Sequence, residues 1–233
     1  MTRRPLLVVF AKRPEPGKVK TRLCPPFTPE QAADFYRCLL QDVLEAMASV
    51  APPLGLELRL ALHPPEAVDE PDVPIPASFG RVAQRGVDLS SRIAHSIDRA
   101  SAEGYSPILI RGSDSPALDG GTLAAALRAL EEADLVLCPD LDGGYNLVGV
   151  RGPAPGLFDH EMSTGHVLRD TLARAGGLGL RSSLLRAGFD IDTVDDLRTF
   201  RHSPQAMRIC SRTVRYLDRE KLWPPEHGPA NPR

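Results

Sequence analysis

The chain is 233 residues long, 42% hydrophobic and 25% charged, with a formal net charge of −2. That length and apolar content predict one domain with a substantial core, and the near-neutral balance excludes a nucleic-acid coat or a polybasic membrane surface. The apolar run that follows MTRRP is too short for a secretory signal, and no later stretch approaches a membrane span. Cys24, Cys38, Cys138 and Cys210 lack metal-ligand spacing, so a reducing cytoplasm is expected.

In chain order, LLVVFA (6–11) reads as a buried strand. The loop AKRPEPGKVKTRL (11–23) follows, gathering Lys12, Arg13, Lys18, Lys20 and Arg22 with Glu15 as its one carboxylate. Thr28, Pro29 and Gln31 spell a helix start with a capping box, and the helix should run to about Ser49. LELRLAL (56–62) alternates as a strand, and the proline-rich piece 63–76 is a surface connection. A helix over about 88–102 leads into the strand PILIRG, the loop SDSPALDGG, a helix over 122–133 and the strand DLVLCPD. DGGYNLVGV reads as a strand, about 163–175 as a helix, and a last strand-like piece enters FDIDTVDDL. Strands alternating with helices favour an α/β layer with a mainly parallel sheet, in a domain over 1–222 with a disordered tail at 223–233.

In open α/β sheets the ligand lies beyond the carboxyl ends of the strands, and three charged loops fall there: 12–22, 112–116 and 139–144. In the first, Ala11, Lys12, Pro16, Gly17, Lys18, Lys20 and Arg22 are candidates to surround a polyphosphate, joined by Gly112 and Ser113 from the second. A solvated basic loop is the alternative. Asp114 directly after an apolar strand can project into a cleft as a ligand for a hard cation such as Mg²⁺ or Mn²⁺, although GSDSP alone also fits a capped turn. Asp190 and Asp192 stand at strand spacing, which would point both at one face, while Asp195 and Asp196 suit a helix first turn. Asp142, Gly143, Gly144 and Tyr145 could border an acceptor, with Ser163 and Thr164 beside it; a tight turn would also produce DGG. His166 alone argues for no ligand.

Taken in order, AKRPEPGKVKTRL, GSDSPAL, DGGYNLVG, LFDHEMST and FDIDTVDDL resemble the bacterial glycosyltransferase-A-like family first catalogued as a domain of unknown function and often labelled an arsenosugar-biosynthesis glycosyltransferase. The resemblance covers roughly 6–200. It implies a nucleotide-diphospho-sugar transferase fold, a mainly parallel mixed sheet flanked by helices, with an aspartate after a central strand on the metal. The segment from Lys18 to Ala46 is also similar to 2-phospho-L-lactate guanylyltransferases, and more distantly the fold resembles molybdenum-cofactor guanylyltransferases. Asn146 and Met162 depart from the main family's usual aromatics, which bears on the acceptor side.

The expected activity is metal-dependent nucleotidyl transfer from a nucleoside triphosphate to a small anionic or sugar-phosphate acceptor. Lys20 and Arg22 would stabilise charge at the α-phosphate, and Asp114, Asp190 and Asp192 would hold the metal. Glycosyl transfer from a nucleotide sugar is the alternative, and a non-catalytic nucleotide-binding protein is the second. Partners are then a nucleotide or nucleotide sugar and a small acceptor, with no nucleic acid or membrane; a homodimer is compatible with this.

Overall fold

The computed structural model describes residues 4–162 and 164–225. At its centre is β1 (Arg4–Lys12), whose interior residues are buried on both faces, as a parallel strand covered by helices on each side must be. It pairs in parallel with β2 (Glu57–His63) on one side and β4 (Tyr105–Gly112) on the other. The sheet is completed by β3 (Phe79–Ala83), β5 (Leu135–Pro139), β6 (Tyr145–Val150) and β7 (Ser182–Leu184), in the order β3-β2-β1-β4-β6-β5-β7. Only β6 runs antiparallel to its neighbours, so the sheet is mixed and mainly parallel, as expected.

The two faces are sorted by the period-2 alternation along β1. Leu7 and Val9 pack with α1 (Pro29–Val50) and α3 (Gly120–Glu132). The same face carries α5 (Val194–Arg201), α6 (Pro204–Ile209) and α7 (Ser211–Glu220). Leu6, Val8 and Phe10 pack with α2 (Leu89–Ala102) and α4 (Val167–Gly177) on the other. The start of α1 is the capping box read from Thr28 and Gln31, with both reciprocal hydrogen bonds made. Asp42 of α1 accepts from the backbone N–H groups of Arg212 and Thr213 and from the Thr213 hydroxyl, which fixes the N-terminus of α7.

Several elements depart from the sequence reading. FDIDTVDDL is entered by no strand; the last strand is β7, earlier in the chain, and 186–192 is irregular backbone tied to the sheet by Gly188 N–H to Pro139 O and Ile191 N–H to Asp114 O. β3, short and half-exposed, lies just beyond the connection at 63–76, and α4 begins at Val167 rather than near 163. Packing also continues past the expected boundary at 223. Trp223 stacks on Phe200 with ring centroids 5.8 Å apart, donates to Asp218 and receives the Arg201 guanidinium on its face. The remainder of the tail reading lies outside the described residues.

Candidate active site

β1 leads rightward to β4 and leftward to β2, so the strand order reverses between them, and the crevice at their carboxyl ends is where a doubly wound sheet binds ligands. A cleft of about 560 Å³ opens there. Its wall includes Ala11, Lys12, Lys18, Lys20 and Arg22 after β1, Gly112, Ser113 and Asp114 after β4, and Asp142, Gly144, Tyr145 and Thr164 from the far side. Asp190 and Asp192 close it from the loop before α5. Thus the three charged loops and the Asp190/Asp192 pair converge on one cavity.

Lys20 is at its centre. The side chain is 4% exposed, and Nζ lies 2.6 Å from Asp114 Oδ1 and 2.9 Å from Asp192 Oδ1. Burial pulls the ammonium's pKa down, but the two carboxylates outweigh that and hold it above the ordinary lysine value. Burial likewise acts to raise Asp192, and the charges of Lys20 and Arg22 win, keeping its carboxyl below the usual range. Lys20 has φ +49°, a left-handed conformation unusual for a side-chain-bearing residue. The other cations are open to solvent: the side chain of Lys18 is 72% exposed and bonded to Glu15, which also holds Arg13, and that of Arg22 is 69% exposed.

Three predicted residues serve the chain itself. Pro16 and Gly17 are the central pair of a turn closed by Lys18 N–H to Glu15 O, with Gly17 at φ +75°, and neither lines the cleft. Gly143 was expected to leave room for a ligand. Its φ is +91° and a Cβ built there would lie 2.2 Å from Gly165 O, so the space is taken by the 164–166 loop. Ser163 lies outside the described residues.

Asp190 is half-buried and accepts from the Ser115 hydroxyl. Burial, with the charges of Asp114 and Asp140 added, pushes its carboxyl up to about 7. The strand spacing expected to align it with Asp192 is absent, and among the described residues no group of three or more metal-ligating side chains is assembled. The donor set that fits a hard cation is therefore Asp114 and Asp192, whose oxygens already share one cation. Asp114 Oδ1 is buried and, although in contact with Nζ, has no aligned hydrogen-bond donor. Two carboxylates completed by phosphate oxygens and water are the ordinary ligand set for Mg²⁺.

Other residues were not legible beforehand. The Tyr36 hydroxyl on α1 accepts from Lys12 N–H at 3.0 Å and bonds to Ser113 Oγ at 2.7 Å, joining the first and second loops beneath Lys20. Arg111, 1% exposed, donates to the carbonyls of Gly112 and Ser115 and supports the Asp114 loop from below. Gln84 at the end of β3 donates to Ala11 O and Ala61 O. Asp140 also lines the cleft, its carboxyl pushed up to about 6 by burial and by Asp142. Tyr36 and Gln84 could not be singled out because their partners lie far away in the chain, Arg111 because its role rests on burial, and Asp140 because the charged loop that contains it gave no sign that its own carboxyl lines the cleft.

A bacterial family described as "Uncharacterized protein conserved in bacteria (DUF2064)" matches residues 46–165. A phosphoenolpyruvate guanylyltransferase of Sphaerobacter thermophilus is 29% identical over 192 residues, 79% of this chain and 88% of that protein. The enzyme of the same name from Chloroflexus aggregans is 32% identical over 119 residues, covering 48% of this chain and 56% of the relative. A crystal structure from Desulfovibrio desulfuricans G20, classed as a nucleotide-diphospho-sugar transferase, superposes with a TM-score of 0.80 at 29% identity, over 95% of this chain and 97% of that one.

Proposed function

This chain belongs to the bacterial family described as an uncharacterized protein conserved in bacteria (DUF2064), and from the cleft just described we propose that it transfers a nucleotidyl group from a nucleoside triphosphate to a small anionic acceptor. What supports this most is the convergence of Lys12, Lys18, Lys20 and Arg22 with Asp114 and Asp192 in one crevice. So many cations suit a triphosphate, and the guanylyltransferase relatives support the same chemistry.

In that reaction an acceptor oxygen forms a bond to the α-phosphorus while the bond from that phosphorus to the leaving diphosphate breaks. An anionic phosphate or carboxylate oxygen brings no proton, so no general base is needed on the acceptor side. The protein's work is to place both partners and to stabilise spreading negative charge. Lys12 and Lys18 hold the outer phosphates, Lys20 and Arg22 the charge developing at the α-phosphate, and Asp142, Gly144, Tyr145 and Thr164 border the acceptor. Asp114 and Asp192 would hold Mg²⁺, which supplies electrostatic stabilisation of the phosphate oxygens when bound.

A second reading, glycosyl transfer from a nucleotide sugar, is favoured by the similarity to the nucleotide-diphospho-sugar transferase structure. One assay separates the two. The purified protein is incubated with Mg²⁺ and each nucleoside triphosphate plus phosphoenolpyruvate or 2-phospho-L-lactate, and in parallel with nucleotide sugars. Diphosphate release that requires the acceptor is the expected result; nucleoside diphosphate release from a nucleotide sugar, with no diphosphate from any triphosphate, would transfer the assignment to the second reading.

A further inference from the structure

Three of the chain's four lysines, Lys12, Lys18 and Lys20, fall within nine residues of one another, and the fourth is Lys221; every other basic position is arginine. An ammonium is a compact point charge on a flexible stem, close in kind to a small cation, whereas a guanidinium is a planar fork that cannot sit between two carboxylates in the same way. Lys20 occupies that point: its side chain is 4% exposed and its Nζ is within 3 Å of one oxygen of Asp114 and one of Asp192, the two residues that fit a divalent ion. Asp114 Oδ1, buried and without an aligned donor, is only partly served by it.

We propose that Lys20 is the resident counter-ion of the Asp114–Asp192 pair, displaced when a divalent cation enters, and that the displaced ammonium swings into the cleft as a phosphate ligand. This deepens the transferase reading and rests on it for the last step. Two carboxylates held this close without a cation repel, so the metal-free protein needs Lys20 where it is. Once a divalent ion neutralises them, a lysine beside it is repelled, and the left-handed backbone at Lys20 has less to hold it. Its stem then releases a cation at the same cleft that receives the polyphosphate. Metal entry and phosphate capture would in this way be coupled through one side chain, with no need for a separate lid.

The test uses lysine acetylation read by mass spectrometry, which four lysines make simple to interpret. In the full-length protein without metal, Lys20 is expected to acetylate far more slowly than the exposed Lys18. Saturating Mn²⁺ alone, with no nucleotide, is expected to raise the Lys20 rate by about tenfold or more, the lower end of what desolvated charge pairs contribute, while Lys221 stays unchanged. By calorimetry K20M should bind Mn²⁺ more tightly than the native protein, since no resident cation competes; if K20M is unfolded without metal, Mn²⁺ should restore its melting transition. Lys20 equally protected with and without Mn²⁺, or Mn²⁺ affinity no higher in K20M, would overturn the proposal. The two readings fail separately. Diphosphate release from a triphosphate with Lys20 protected throughout sinks the exchange alone, whereas exposure of Lys20 by Mn²⁺ with no substrate turned over sinks the transferase assignment and the phosphate-ligand step that rests on it, and leaves the exchange between Lys20 and the metal standing.

Discussion

Asp114 and Lys20 carry opposite charges at the same point, and their replacement should separate metal binding from phosphate stabilisation. Asp114→Asn keeps the shape but halves the charge of the donor pair, so turnover should fall by about 10²–10³-fold with the melting temperature little changed, as checked by steady-state rates beside thermal unfolding. Normal turnover in that variant would remove Asp114 from the metal site. Lys20→Ala should lower the rate about 100-fold while nucleotide affinity changes by less than about tenfold, because an interaction strongest in the transition state appears in the rate. A variant that loses binding and rate equally would make Lys20 a ground-state ligand only. At this scale the sequence reading named both residues from loop position and charge. It did not reach the ion pairs between them, because residues 20, 114 and 192 meet only through the crossovers of the sheet.

Among the elements, those with local signals were legible and those fixed by distant packing were not. Thr28 and Gln31 mark the start of α1, and Asp196 caps α5 by accepting from the Asp192 and Thr193 N–H groups, both readable within four residues. β3 and β7 are short edge strands, with no buried alternation to give them away. β7 is instead pinned by Asp134, whose carboxylate takes the Arg151 guanidinium after β6 and the Arg181 N–H and guanidinium before β7. The Arg151 hydrogen bond and then those of Arg181 hold its carboxyl well below the ordinary value of 3.8. Since folding lowers this pKa, the stabilisation is complete above that value and is lost as pH falls through the folded one. Asp134→Asn should therefore lower the melting temperature at neutral pH, and the gap from the native protein should close in strongly acidic buffer. A gap constant across the acid range would mean that the carboxylate's charge contributes nothing and only its shape matters.

At the scale of the whole molecule, a chain of net charge −2 is expected to repel a polyanion, yet the proposed substrate is a nucleoside triphosphate. The resolution is spatial: Lys12, Lys18 and Arg22 are grouped on one rim, and much of the acidic surface is engaged elsewhere, as in the Arg4–Glu57 and Arg59–Glu103 pairs at the opposite, amino-terminal end of the strands. A field of this kind is short in range, and the Debye length shrinks from about 10 Å at 0.1 M salt to about 3 Å at 1 M. Exposed Lys12, Lys18 and Arg22 are then screened, whereas buried Lys20 and its carboxylates are not. Raising NaCl should accordingly weaken triphosphate binding while leaving the Mn²⁺ exchange at Lys20 much less affected, measured by titrating each ligand over the same salt series. The loop should also become less accessible to trypsin once nucleotide is bound, since the phosphates occupy the very lysines and arginine that the protease reads. Triphosphate affinity independent of salt, with cleavage after Lys18 and Arg22 unchanged at saturating nucleotide, would place the polyphosphate away from the first loop and leave its charge without the purpose argued for it.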